Sequence, residues 1–152
     1  MRIVLFQPDI ALNVGAVIRT AACLNCPVDI ILPCGFPVSR KALQRSGMDY
    51  VELAQLTTHA SWDAFLDANS SARLVLMTTK GAQNAAHFNF KDGDCILFGR
   101  ESAGAPPHVH ARADERLRLP MFGEARALNL SISVAMTLTL AYQQRGLFLE
   151  LE

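Results

Sequence analysis

Ile3-Val4-Leu5-Phe6, interrupted at Gln7-Pro8-Asp9 and followed by Asn13 to Leu24 and then by Val28-Asp29-Ile30-Ile31-Leu32, decides the fold class of this chain. A continuous apolar run of this kind reads as a strand buried on both faces. Val14, Val17, Ile18, Ala21 and Ala22 then recur at helical spacing, with Asn13 in position to cap the helix. Pro33 and Gly35 close the second strand. The alternation continues along the chain. Ser39 caps a short basic helix through Arg45 that ends at Gly47, and Tyr50-Val51-Glu52-Leu53 alternates like an exposed or edge strand. Helical spacing of Trp62, Phe65 and Leu66 marks a helix from His59 to Leu66, followed by a strand from Arg73 to Met77. Gly93-Asp94 turns into the strand Cys95-Ile96-Leu97-Phe98, and the loop from Gly99 to Pro107 leads to a short helix near His108 to Ala111. The last strand is Leu117 to Leu119, and the final helix runs from Asn129 to Arg145. Apolar strands alternating with amphipathic helices predict an α/β fold, a mainly parallel sheet with helices on both faces, in a single domain over residues 1–152.

Composition removes several function classes. Fourteen basic and fourteen acidic residues give a formal net charge of zero, so the whole-protein field exerts no strong pull on nucleic acid. Local clusters remain: Arg40, Lys41 and Arg45 in one segment, and Arg112, Arg116, Arg118 and Arg126 around the last strand and the linker after it. The N-terminus leads straight into a strand without a signal-like segment, and the final helix is too short to span a membrane, which favours a cytoplasmic protein. Cys23 and Cys26 form a C-x-x-C at the far end of a helix, the wrong end for thioredoxin-like chemistry, and read as small half-buried residues. His59, His87, His108 and His110 show no metal-ligand spacing, so no metal is expected. The glycine triad of dinucleotide sites, the G-K-[ST] ending of a P-loop and the G-x-S-x-G elbow are all missing.

In parallel sheets ligands collect outside the C-terminal ends of the strands. Four segments meet that rule: Gln7 to Asn13, Thr78 to Gly81, Gly99 to Gly104, and the linker from Pro120 to Asn129. Asn129 and Ser131 open an apolar helix with free backbone N–H groups and side-chain oxygens in front of it. Asn13 and Arg19 form a pair on the first helix, read either as parts of a site or as a cap and a surface cation. Glu101 sits in a glycine loop, as a site carboxylate or a solvated turn residue, and Thr78-Thr79-Lys80 offers hydroxyls and a cation suited to ribose or phosphate. The last helix carries one stripe of Leu130, Val134, Leu138 and Ala141 and another of Ile132, Met136, Leu140 and Leu147. Apolar residues on several sides need cover on several sides, so a homodimer is expected.

Three separated segments, Asn13-Val14-Gly15-Ala16-Val17-Ile18-Arg19, Leu97 to Gly104, and Leu119-Pro120-Met121 through Leu128-Asn129-Leu130-Ser131, resemble the three motifs of the SpoU/TrmH-type SPOUT RNA 2′-O-ribose methyltransferases. The likeness covers nearly the whole chain, including Gly35-Phe36, Arg45 to Tyr50 and Leu76 to Gly81, and is nearest to the small members that methylate wobble nucleotide 34 of leucine tRNAs. It implies a C-terminal deep trefoil knot, a rare departure from ordinary chain topology. It also implies a homodimer with the site near its interface, and S-adenosylmethionine as cofactor, released as S-adenosylhomocysteine. Carried onto this chain, the cofactor contacts are backbone groups of Leu76, Gly99, Leu119 and Leu128 for adenine and ribose, together with Thr78, Glu101, Met121 and Ser133. Arg19, Asn13, Glu101 and Asn129 become the catalytic group: Arg19 to orient the substrate phosphate and stabilise developing oxyanion charge, Asn13 to hold the loop or the substrate, Glu101 to position Arg19 or a neighbouring backbone, and Asn129 to order the cofactor loop. Arg19, Arg40, Lys41, Arg45 and Arg126 would contact RNA. One departure stands out: relatives carry serine two residues before the third-motif asparagine, where this chain has Ala127. The same transfer at another RNA position, or a catalytically weak RNA-binding dimer, are the competing readings.

Overall fold

A computed structural model describes residues 1–45, 49–81, 83–124 and 127–150. The N-terminal apolar run forms β1 (Arg2–Phe6), which pairs in parallel with β2 (Val28–Ile31) on one side and with β6 (Cys95–Phe98) on the other. With β3 (Leu56–His59), β4 (Leu74–Met77), β5 (Gln83–Asn84) and β7 (Glu115–Arg118) it makes a seven-stranded sheet of order β3-β2-β1-β6-β4-β7-β5. Every named pairing is parallel.

Because successive strand side chains point to opposite faces, the sheet sorts its apolar residues into two cores. Ile3, Leu5, Val28, Ile30, Val75, Met77, Ile96 and Phe98 meet α1 (Ala11–Cys23) and α5 (Leu130–Arg145). Val4, Phe6, Ile31, Leu74, Leu76 and Leu97 meet Phe65 of α3 (Trp62–Ala68) and Val109 of α4 (Pro107–Arg112). The fold class read from the sequence is therefore the observed one, with both faces covered. Tyr142 of α5 locks one layer by donating its hydroxyl to the Leu24 carbonyl at the end of α1, 2.7 Å away. Among the described residues no helix is long and apolar enough to cross a membrane.

Several boundaries differ from expectation. Helix α1 begins at Ala11, with Ile10 as a cap that makes no side-chain hydrogen bond, so Asn13 lies inside the first turn and is not the cap. Its amide is instead drawn into a long-range contact. Tyr50 to Leu53 is not a strand: Asp49–Glu52 is a turn of 3-10 helix that buries Val51, and so short an alternation does not separate the two forms. The edge strand lies further on, at Leu56–His59, where the exposed Thr57 and Thr58 conceal it. His59 therefore belongs to β3, and α3 starts at Trp62 with Ser61 as cap, its Oγ accepting from the Ala64 N–H at 3.1 Å. The basic helix α2 (Arg40–Arg45) is as read, with Ser39 Oγ accepting from the Ala42 N–H at 3.1 Å; its expected end at Gly47 lies outside the described residues. The last strand starts two residues earlier than read, at Glu115.

The position of β7 bears directly on the site. It is inserted between β4 and β5, two strands that residues 78–82 had already joined earlier in the chain. Thr78 N–H donates to the Leu117 carbonyl at 2.8 Å, and Gly81 lies so close to the backbone of Leu117 and Arg118 that a side-chain carbon there would overlap them. The late strand is thus packed tightly against an early loop.

Candidate functional site

Loops following β1, β4, β6 and β7 converge at the C-terminal edge of the sheet. Asp9, in the loop after β1, ties the first of these to the glycine loop after β6. Its carboxylate accepts from Arg100 Nε at 3.1 Å and Nη2 at 2.6 Å, and from the Ser102 N–H at 3.0 Å and Oγ at 2.6 Å. The Arg100 hydrogen bonds, followed by those of Ser102, pull the Asp9 carboxyl from its ordinary 3.8 down to about 2. A depressed carboxyl contributes stability that is complete above its unfolded value and lost as pH falls through its folded value. The loop tie is therefore expected to stay constant at neutral pH and to weaken only from about 3.8 toward about 2, read from the Asp9 carboxyl carbon shift in an NMR titration. A midpoint near the ordinary carboxylate value would contradict it.

Three segments far apart in the chain are joined by a second chain of hydrogen bonds. Asn129, the cap of α5, accepts on Oδ1 from the Ser131 N–H at 2.8 Å and from Ser131 Oγ at 2.7 Å. Its Nδ2 donates to Asn13 Oδ1 at 2.9 Å, and Asn13 Nδ2 donates to Glu101 Oε1 at 3.0 Å. The other Glu101 oxygen accepts from the Asp9 N–H at 2.7 Å. Each Asn amide acts as donor on one side and acceptor on the other, so the order is fixed from the cap of α5 to the loop after β1. Both oxygens of Glu101 are committed. It holds the Asp9 backbone and Asn13, and forms no hydrogen bond or ion pair with Arg19.

Behind this relay lies a cavity of about 550 Å³. Met77, Phe98, Leu119, Met121, Leu128 and Leu130 supply apolar wall, while Thr78, Ser133, Asn13, Glu101 and Asn129 supply polar groups. That size and mixture suit a small organic ligand with a few fixed polar contacts. Gly99 is required at the rim, because any side-chain carbon there would collide with the backbone of Gly104 and Ala105, where the glycine loop folds back on itself through the Arg100–Gly104 bridge.

The residues expected at the site fall into three groups. Asn13, Thr78, Gly99, Glu101, Leu119, Met121, Leu128, Asn129 and Ser133 all line the cavity, and so does Ala127. Leu76 is fully buried in β4 on the opposite face of the sheet and does not line it. Arg19 is exposed on α1 outside the cavity, its guanidinium 4.9 Å from the centre of the Tyr50 ring. Lys41 is exposed on α2, away from the cavity lining, while the side chains of Arg40 and Arg45 and the whole of Arg126 lie outside the described residues. Among the described residues no group of acids, histidines and cysteines could hold a metal. Asp9 and Ser102 are the structural ties that sequence reasoning missed. The only local signal was a carboxylate placed directly after the strand-ending Gln7-Pro8.

A model of the SpoU rRNA Methylase family matches residues 1–139. The chain belongs to the SpoU methylase family. A relative from Beijerinckia indica subsp. indica, named tRNA (cytidine(34)-2'-O)-methyltransferase, is 44% identical over 144 residues, covering 93% of this chain and 90% of that protein. A solved structure described as giving insight into the 2-OH methylation of C/U34 on tRNA is 40% identical, with a TM-score of 0.90 over 95% of each chain. The SpoU methyltransferase AviRb from Streptomyces viridochromogenes, solved with AdoMet, shares the fold: its TM-score is 0.86 at 21% identity, over 96% of this chain and 58% of that one. The relay of Asn13, Glu101 and Asn129 thus links the three segments on which the family resemblance rests.

Proposed function

We propose that this SpoU-family chain transfers the methyl group of S-adenosylmethionine to the ribose 2′-hydroxyl of nucleotide 34 in leucine tRNAs, acting as a cytoplasmic homodimer. The observation that carries this reading is the Asn129–Asn13–Glu101 relay lining the cavity. The names of relatives that match nearly end to end support tRNA and position 34. Insertion of β7 between β4 and β5 supports a knotted C-terminal part.

The cavity suits the cofactor. Leu119, Met121 and Leu128 offer apolar surface for a base, and Thr78, Ser133 and the backbone at Gly99 offer hydrogen-bonding groups beside it. When bound, the cofactor supplies an electrophilic methyl carbon on a sulfonium, so the protein has only to place the nucleophile and manage its charge. Asn13 and Asn129 hold the loops in register, and Glu101 fixes the Asp9 backbone. Arg19 stands on the same helix as Asn13, six residues on, which is about 9 Å along the axis. A ribose-phosphate lying along α1 would meet the cavity mouth at one end and the guanidinium at the other. There Arg19 orients the phosphate and stabilises the developing oxyanion. Ala127 at the cavity wall provides no hydroxyl, which leaves Ser133 as the serine lining the cavity from α5.

The homodimer reading rests on uncovered apolar residues. Within one chain α5 buries Val134, Leu138 and Ala141 but leaves Ile132 50% and Met136 40% exposed. Ile10 and Leu12 at the start of α1 are exposed too, and the Asn13–Asn129 bond brings the two helix starts together. A second copy covering these residues would sit beside the cavity. The double variant Ile132→Asp, Met136→Lys is expected to sediment as a monomer and to lose at least tenfold in activity; a dimer of unchanged stability would remove this surface from the interface.

The chemistry is tested with label from methyl-labelled S-adenosylmethionine in unmodified tRNA transcripts. A methylated 2′-oxygen cannot attack its neighbouring phosphodiester, so alkaline hydrolysis is expected to leave the label in a resistant dinucleotide. Label recovered only in mononucleotides, as base methylation would give, overturns the proposed reaction.

A further inference from the structure

Among the described residues Arg2, Arg73, Arg100, Arg112 and Arg145 each form an ion pair with a carboxylate. Among the described residues Lys80, Arg116 and Arg118 pair with no carboxylate, and they stand close to one another. Lys80 is in the loop after β4 and Arg118 ends β7, both at the cavity lining. The close approach of Gly81 to the Leu117–Arg118 backbone brings that loop against β7. Arg116 and Arg118 are two apart on β7 and so share a face, both exposed, with Leu117 buried between them; Arg116 lies outside the cavity lining and donates Nη1 to the His110 carbonyl at 3.4 Å. Nearby acids are engaged elsewhere: Glu115 accepts from Gln83 Nε2 at 2.9 Å, Asp114 holds the Leu74 N–H at 2.8 Å and stands 3.7 Å from Arg112, and Glu101 is consumed by the relay.

The imidazole of His110, half-buried at the same wall, reports this local field. Burial first, and then the positive charges of Lys80 and Arg116, hold it below its ordinary value, so it is neutral at physiological pH and adds no further charge. Glu115 and Glu101 keep their charge, since their donors are neutral, but neither forms an ion pair with Lys80, Arg116 or Arg118, so three unpaired cations stand on the β4–β7 side of the cavity.

We infer that Lys80 and Arg118 at the cavity lining, with Arg116 outside it on the same strand, form a subsite for successive backbone phosphates of the RNA substrate at the β4–β7 side of the cavity, opposite the Arg19 helix. The inference rests on the proposed RNA methylation and assigns residues to its substrate grip. An RNA phosphate fits better than the cofactor. In S-adenosylmethionine the carboxylate and ammonium cancel and the sulfonium leaves net positive charge, which the three unpaired cations repel. Exposed cations at a cavity mouth are also placed to meet a polyanion arriving from solvent. Phosphate binding there relieves the repulsion, so RNA and cofactor favour each other's binding.

The test measures binding of an unmodified leucine tRNA transcript by fluorescence anisotropy at several salt concentrations. Lys80→Ala, Arg116→Ala and Arg118→Ala are each expected to weaken binding and lower the slope of log affinity against log salt by about 1. KM for tRNA should rise about tenfold, more than kcat falls. Calorimetry without RNA should show S-adenosylmethionine binding that is unchanged or tighter in each variant. Lys91→Ala, an exposed cation on the turn before β6, serves as a control with wild-type tRNA binding. Wild-type salt slopes in all three variants would overturn the inference, as would weaker cofactor binding without RNA, which would give the cations to the cofactor carboxylate. Both readouts stand without turnover, so a wild-type protein that binds tRNA but methylates no ribose refutes the proposed reaction and leaves the subsite standing.

Discussion

Arg19→Ala is expected to lower kcat for tRNA methylation by about 10²–10³-fold, the range seen when one preorganised charge-stabilising donor is removed. The side chain is exposed and its visible partner is the Tyr50 ring at 4.9 Å, a contact worth about 0.5–1 kcal/mol, so the variant should fold and bind cofactor normally. Arg19→Lys separates two roles. A lysine keeps the charge but loses the planar fork that grips a phosphate through two oxygens, so only partial recovery is expected. Full recovery by lysine would reduce the residue to a point charge. Wild-type turnover in Arg19→Ala would remove it from the mechanism.

Glu101→Gln should have the second-largest effect, although the residue touches no reacting atom in this account. Both carboxylate oxygens accept, one from the Asp9 N–H at 2.7 Å and the other from Asn13 Nδ2 at 3.0 Å. An amide offers one acceptor and one donor group, so in either orientation a donor faces a donor. Leaving such a group unsatisfied costs about 1–3 kcal/mol. The loop after β1 and the amide of Asn13 must then shift, and a misplacement of about 1 Å at a positioning group is worth about 10²-fold in rate. Loss of activity is therefore expected together with a lower urea midpoint, while Glu101→Asp, which keeps both acceptors on a shorter stem, should recover part of each. A Glu101→Gln protein of full activity and stability would show that the relay is incidental to the site.

Local chemistry made much of this legible. The buried strands β1, β2, β4 and β6 announce themselves as apolar runs, and Asn129 is a cap in the structure because a helix start rewards a short side-chain acceptor wherever it occurs. Asn13 invited the same reading and does not follow it. Its partners Glu101 and Asn129 lie 88 and 116 residues away, and a hydrogen bond of that range leaves no periodic trace. Asp9 was missed for the same reason, since its carboxylate is used by Arg100 and Ser102, 91 and 93 residues on. The strands β3 and β5 escaped for another. One is an edge strand with exposed threonines and the other has two residues, so neither buries enough apolar surface to impose a pattern. What the family resemblance contributed was the link between three distant segments, which in physical terms is the relay itself.

The proposed acceptor is one oxygen atom of one nucleotide. Two leucine tRNAs, identical except that one carries a 2′-deoxyribose at position 34, should be compared as acceptors of labelled methyl from S-adenosylmethionine. Stoichiometric transfer to the ribose 2′-oxygen of nucleotide 34 is expected in the first and none in the second. Equal incorporation into both would contradict it.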